Sequence, residues 1–222
     1  MGIDCHIGSQ ITSLAPYVDT LRKLAALFNE LRGEGVTIRH IDVGGGMGIS
    51  YRDEKTFAPE EFVQMVCREL TDPAMEILIE PGRSIVGDAG ILLTRVLYLK
   101  ETPAKNFAII DAAMNDLLRP ALYDAWQKVL PVTERGGDNP KVYDLVGPVC
   151  ESADFLAQDR ELDLAEGDVL AVESSGAYGF CMSSNYNSRP RAAEVMIDGG
   201  EIFEVRRREN LADLVSGEQL IP

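Results

Sequence analysis

Three short apolar runs, each ending in a glycine-rich or polar cluster, set the strongest limit on what this chain can fold into. Residues 2–5 run into His6-Ile7-Gly8-Ser9-Gln10, residues 37–43 into Gly44-Gly45-Gly46, and residues 75–80 into Pro81-Gly82-Arg83. Between them lie two stretches of helical period. In 14–31 the apolar positions are Leu14, Val18, Leu21, Leu24, Ala25, Leu27, Phe28 and Leu31, and Gly33 and Gly35 stop the pattern. Pro59 marks a first turn, and 60–70 continues as a helix. A β-α-β-α-β order with short connections predicts parallel strands. Polar and glycine residues gather after the strands' carboxyl ends, where α/β barrels and open α/β sheets place their sites.

After about residue 90 the texture changes. Strands are expected at 91–100, 106–111, 141–146, 168–174, 191–197 and 201–205, separated by turn-rich spacers such as Arg135-Gly136-Gly137-Asp138-Asn139-Pro140. Asp198-Gly199-Gly200 between two such runs predicts a hairpin. Only 117–129 and 211–215 read as helical. The expected boundary lies in 85–92, dividing an α/β part, 1–88, from a mainly β part, 89–222. Three parallel strands cannot close a barrel, and an open sheet leaves an unpaired edge. The pattern therefore leads us to expect further barrel upstream of residue 1.

Composition narrows the function classes. The 222 residues are 45% hydrophobic and carry a formal net charge of −15, which suits a globular domain and argues against a nucleic-acid partner. No apolar run approaches the roughly 20 residues that span a bilayer, and the first residues lack the basic, then apolar, pattern of a signal peptide, so a cytoplasmic location is expected. Cys5, Cys67, Cys150 and Cys181 form no CxxC pair and have no histidine cluster, so neither a metal site nor a disulfide framework is expected.

The strand ends carry the chemistry. Consecutive glycines let backbone N–H groups converge on an anion, which makes Gly44, Gly45 and Gly46 candidates for a phosphate site. Read alone, they are equally a flexible turn, and the spacing is not that of a dinucleotide loop because position 49 is Ile49. Ser9 offers a hydroxyl and Arg83 a charged donor. His6 is either a structural histidine or a site residue. Glu80 closes an apolar strand, where a carboxylate is costly without a partner, and a protonated heteroaromatic nitrogen would be one.

Read in order, HIGSQ, GGG, EPGR, GPVCES and GAYG resemble the fold-type III pyridoxal-phosphate (PLP) decarboxylases, the ornithine/diaminopimelate/arginine decarboxylase family that shares its barrel with alanine racemase. The resemblance covers nearly the whole chain. Arg119-Pro120-Ala121-Leu122-Tyr123, Cys150-Glu151-Ser152 and the stretch from Gly176 to Asn187 narrow it to the diaminopimelate branch. It implies the last part of a (β/α)8 barrel followed by a C-terminal β-sandwich or Greek-key β-barrel domain. It also implies PLP-dependent decarboxylation of meso-2,6-diaminopimelate to L-lysine and CO2.

The resemblance implies residue roles as well. His6 would stack on the cofactor ring. Ser9, Gly44, Gly45, Gly46 and Tyr178 would hold its phosphate, and Glu80 would pair with the pyridine nitrogen. Gly82 belongs to the same cofactor loop. Arg83, Arg119, Tyr123, Glu151 and Tyr178 would fix the substrate's distal end, and Cys150 would donate the proton. The active unit would be a homodimer whose Cys150 and Glu151 reach the partner subunit's site. The substrate's chemistry agrees, because its two carboxylates and two ammonium groups call for cations and an anion together, which Arg119 and Glu151 supply.

The family anchors PLP on a lysine well upstream of HIGSQ. Lys23 and Lys128 lie in expected helices, Lys55 in a charged loop, and Lys100 and Lys105 flank a turn; with Lys141 they complete the lysines, and none closes an apolar strand at a phosphate site. The chain alone is therefore expected to be inactive. Two other readings stand beside this one: a non-catalytic partner of a decarboxylase subunit, or a decarboxylase for ornithine, arginine or a carboxylated polyamine. Glu151 and Arg119 weigh against the change of substrate.

Overall fold

The computed structural model describes residues 1–72, 75–133 and 139–221. It divides into two compact units, Met1–Ala89 and Gly90–Pro222. The expected spacer at 135–138 lies outside the described residues.

The first unit is a three-stranded parallel sheet, β1 (Gly2–Asp4), β2 (His40–Asp42) and β3 (Glu76–Leu78), in that order, with Asp4 beside Asp42 and Asp42 beside Leu78. The long helix α1 (Ala15–Gly33) follows β1, and α2 (Pro59–Glu69) follows β2. Tyr17, Leu21, Leu24 and Phe28 are spaced by three or four residues, so they form one stripe of α1, and all four are buried. They share a core with Ile41, Phe62, Met65 and Val66. The Tyr17 and Phe62 rings meet edge to face, 4.9 Å between centroids. At the start of α2 the Ala58 N–H donates to Glu61 Oε2 at 2.9 Å, satisfying a donor that the helix cannot. A short helix, α3 (Arg83–Val86), follows β3.

The strands are shorter than the apolar runs that predict them. The ladder from 37–43 keeps only His40–Asp42, and that from 75–80 only Glu76–Leu78. Pairing nevertheless continues past the strand ends through Cys5 N–H to Asp42 O, Val43 N–H to Leu78 O and Glu80 N–H to Gly44 O, at 2.9–3.1 Å. These bonds set the three polar clusters side by side.

The second unit is mainly β. A six-stranded mixed sheet has the order β6-β9-β4-β5-β7-β8, where β4 is Leu92–Glu101, β5 Asn106–Ile110, β6 Val129–Pro131, β7 Lys141–Val146, β8 Phe155–Leu162 and β9 Val169–Val172. Only β5 and β7 pair in parallel. Val96, Ile110, Leu117, Leu145, Leu156, Leu170 and Val172 lie in its core. A separate antiparallel ribbon, β10 (Glu194–Asp198) and β11 (Glu201–Arg206), turns on Gly199 and Gly200 as predicted, with Gly199 at φ +58°. A last short helix, α5 (Leu211–Leu214), is capped by Asn210.

Two expectations fail here. The helix expected at 117–129 is only α4 (Arg119–Tyr123). Asp124 turns left-handed at φ +51° and closes it, and Val129 instead pairs with Val172 on the sheet edge. Strand β8 is missing from the sequence reading because a bulge hides its period. Asp159 sits at φ +52° and the register with β7 shifts, so the buried residues Leu156 and Ala157 are consecutive rather than alternating. Leu145 is fully buried at the centre of this sheet. Leu145→Ala is predicted to lower the unfolding free energy of the second unit by about 2–5 kcal/mol, read from urea denaturation of the chain.

Candidate functional site

The glycines after β2 are held where no side chain fits. A Cβ on Gly44 would lie 2.3 Å from Cys5 O, one on Gly45 2.1 Å from Glu80 O, and one on Gly46 2.2 Å from Gly8 O. Gly44 and Gly46 also take φ of +72° and +90°. Each glycine thus meets main chain from the neighbouring strand ends, and the turn is built rather than loose.

Side chains fix the same turn. Gly44 N–H donates to Asp42 Oδ1 at 2.9 Å and Gly45 N–H to His6 Nδ1 at 3.3 Å. The buried Tyr17 hydroxyl donates to Gly45 O at 2.9 Å. Ile11 N–H donates to Gly46 O at 2.8 Å, and Gln10 bonds both the N–H and the carbonyl of Ile49. Arg83 spans the cluster: Nη2 donates to Ser9 Oγ at 3.0 Å, Nη1 to the Tyr51 hydroxyl, and the guanidinium lies 5.6 Å from the Tyr51 ring centroid. His6, Ser9, Gly44, Gly45, Gly46, Glu80, Gly82 and Arg83 therefore sit on three adjacent strand ends.

The expectation that burial forces a partner on Glu80 fails. Glu80 is exposed, so desolvation does not force a partner on it. Its carboxylate instead gathers with those of Asp4 and Asp42, whose nearest oxygens lie within 4.8 Å of one another. Sequence reasoning passed over Asp4, Asp42, Tyr17 and Tyr51. Asp42 was legible as a carboxylate near the end of an apolar run, beside the glycines. Tyr17 and Tyr51 were not, because a tyrosine on a helical stripe or in a loop gives no sign of the backbone or cation it will meet.

In the second unit, Cys150 and Glu151 lie exposed on the turn between β7 and β8. Asp154, 4% exposed, holds that turn: its carboxylate accepts Val149 N–H at 2.6 Å and Met114 N–H at 2.7 Å, and its carbonyl accepts Gly147 N–H at 3.1 Å. Gly147 must lack a side chain because its Cβ would lie 2.5 Å from Asp154 Oδ2. Glu151 Oε1 accepts Ser152 N–H at 2.9 Å and Oε2 accepts the Tyr186 hydroxyl at 3.2 Å. Arg119 is buried in the first turn of α4 and Tyr123 is exposed at its end. Tyr178 is exposed at φ +58°, and Gln127, fully buried, donates to Glu173 O and Ser174 O just before its loop.

Lys128 does not end a helix but precedes β6 and pairs with Glu173 at 3.4 Å. Lys105 bonds Asp144 at 2.7 Å, and Lys141 bonds Glu101. The four cysteines are free. Among the described residues, no helix is long and apolar enough to cross a membrane.

Comparison with known proteins spans both units. The family model for the pyridoxal-dependent decarboxylase C-terminal sheet domain matches residues 12–176. A diaminopimelate decarboxylase of Vibrio cholerae is 57% identical over 222 residues, covering 100% of this chain and 53% of that protein. One of Pseudomonas aeruginosa is 56% identical over the same extent. The crystal structure of diaminopimelate decarboxylase from M. jannaschii in co-complex with L-lysine is similar with a TM-score of 0.94 at 37% identity, covering 100% of this chain and 52% of that one. The chain thus spans about half the length of the relatives it matches.

Asp154 carries a direct prediction. Asp154→Ala leaves the N–H groups of Met114 and Val149 without their acceptor, and is predicted to destabilise the second unit by about 2–4 kcal/mol in urea titration.

Proposed function

We propose that this chain, which belongs to the pyridoxal-dependent decarboxylase family, is part of a decarboxylase that converts meso-2,6-diaminopimelate to L-lysine and CO2. In this reading the first unit belongs to a fold-type III barrel and the second is the β-sandwich or Greek-key domain that follows it. The observation that carries the reading is the glycine turn of residues 44–46, packed against main chain on three sides and flanked by Ser9 and Arg83.

The residues present fit pyridoxal phosphate. A turn that excludes every Cβ lets a phosphate come close to the main chain beside the Gly44 and Gly45 N–H groups, which donate to Asp42 and His6, and Ser9 and Arg83 add a hydroxyl and a cation. When bound, the cofactor supplies an electron sink for the bond to the departing carboxylate. Gly44, Gly45, Gly46, Ser9 and Tyr178 would hold its phosphate, with Gly82 in the same loop. His6, whose Nδ1 accepts Gly45 N–H, would stack on the ring. Glu80, gathered with Asp4 and Asp42, would pair with the pyridine nitrogen and favour its protonated form.

Substrate recognition needs both signs of charge. Arg83 and Arg119 take the distal carboxylate, with Tyr123 and Tyr178 beside it, and Glu151 takes the distal ammonium. Cys150 gives a proton to Cα after CO2 leaves. The active unit is a cytoplasmic homodimer in which Cys150 and Glu151 serve the partner subunit.

Restoring the upstream half that the relatives carry, and measuring CO2 release from meso-diaminopimelate, ornithine and arginine, tests this. Release from diaminopimelate in clear preference to the others is expected, with none from the isolated chain. Preference for ornithine or arginine contradicts the substrate. In the restored enzyme, Cys150→Ala is predicted to slow turnover by about 100-fold or more; near-normal turnover removes the proton-donor role.

A further inference from the structure

Glu151 lines an open cavity of about 340 Å³ together with Met114, Asn115, Leu118, Ser184 and Tyr186. Met114 and Leu118 make its wall apolar, and among the described residues Glu151 is its one formally charged lining residue. A carboxylate in that position meets a cation well only if its rotamer is fixed, because a free glutamate must first lose side-chain entropy.

The structure holds both of its oxygens. Ser152 N–H takes Oε1 at 2.9 Å, and this bond comes from the next residue in the chain. The Tyr186 hydroxyl takes Oε2 at 3.2 Å from 35 residues away. That hydroxyl's pKa is pushed up by its bond to Glu151, then by the charge of Glu151, so it remains a proton donor. As an exposed contact it adds little to stability, and its effect is on the direction of the carboxylate.

Tyr186 is itself placed with care. It begins the 3-10 turn Tyr186–Ser188, in which Asn187 and Ser188 take φ of +60° and +53°. Such residues persist only where their surroundings determine them. Asn115, 2% exposed, supplies the anchor. Its carbonyl accepts Ser184 N–H at 2.9 Å, its Nδ2 donates to Ser184 O at 3.2 Å, and its Oδ1 accepts Arg189 Nε at 2.9 Å. Arg189 also donates to Asp111 O at 2.7 Å and pairs with Asp116 at 3.7 Å. The segment is pinned at residues 184 and 189, and Tyr186 is carried between the two pins.

We propose that Tyr186 is a positioning residue for Glu151, setting the carboxylate that receives the substrate's distal ammonium and so the preference for a diamino over a monoamino dicarboxylate. This rests on the reading of Glu151 given above. The test uses the full-length decarboxylase of which we propose this chain to be part. It compares wild type, Tyr186→Phe and Glu151→Gln, with the KM and kcat for meso-diaminopimelate and the inhibition constant of 2-aminopimelate, which lacks the distal ammonium.

Tyr186→Phe is expected to raise KM about fivefold to tenfold, with kcat within about twofold and the 2-aminopimelate constant unchanged. An unchanged KM in Tyr186→Phe, while Glu151→Gln raises it, overturns the positioning role and leaves Glu151 as the ammonium partner. Equal weakening of both ligands by Tyr186→Phe also overturns it, since that marks a general structural effect. An unchanged KM in Glu151→Gln removes the underlying reading itself.

Discussion

At the carboxyl ends of β1, β2 and β3 the main chain passes so close to itself that only glycine can occupy residues 44, 45 and 46. Everything in the first unit is arranged to hold that approach. The parallel ladders bring His6 and Glu80 alongside the turn, the helix stripe of α1 delivers Tyr17 to the Gly45 carbonyl, and Arg83 ties Ser9 to Tyr51. A backbone turn without side chains is a poor packing element but lets an anion come close to the main chain. The same crowding that makes the turn rigid makes it intolerant of any substitution that adds a Cβ.

The second unit solves a different problem with the same economy of residues. Its turn, residues 147–154, exposes Cys150 and Glu151 while one buried carboxylate, Asp154, accepts N–H groups from Val149 of the turn and from Met114. A carboxylate buried this far needs bonded oxygens, and the N–H groups of Val149 and Met114 supply one bond to each, while Gly147 N–H donates to the Asp154 carbonyl. Asn115, next to Met114, pins the segment that carries Tyr186. The two sides of Glu151 are therefore anchored through neighbouring residues of one turn, 112–116, at the end of β5.

Much of this was legible before any coordinates. The helical stripe of 14–31, the hairpin at Gly199-Gly200 and the three polar strand ends follow from period and turn chemistry, which act locally. The strand ends also yielded His6, Ser9, Glu80 and Arg83 as neighbours. What failed has equally local causes. A bulge at Asp159 removed the alternation by which β8 would have been recognised, and α4 stops at a left-handed Asp124 that no breaker residue announces. Tyr17, Tyr51, Asp154 and Asn115 act through contacts formed only after long-range folding, between 28 and 74 residues apart, so their types alone could not reveal them. Glu80 was found for a reason that the structure does not support: it is exposed, and its carboxylate gathers with those of Asp4 and Asp42.

The claim on which the account depends is that the Gly44–Gly46 turn seats a phosphate. Its most direct test is the affinity of the full-length decarboxylase for pyridoxal phosphate against pyridoxal, measured by the change in cofactor absorbance, in wild type and in Gly45→Ala. Charge-assisted bonds at the turn predict that wild type binds the phosphorylated form at least about tenfold more tightly. The variant, whose Cβ would meet Glu80 O at 2.1 Å, loses that margin while still binding pyridoxal. Equal binding of the two forms by wild type, or a margin that survives Gly45→Ala, contradicts it.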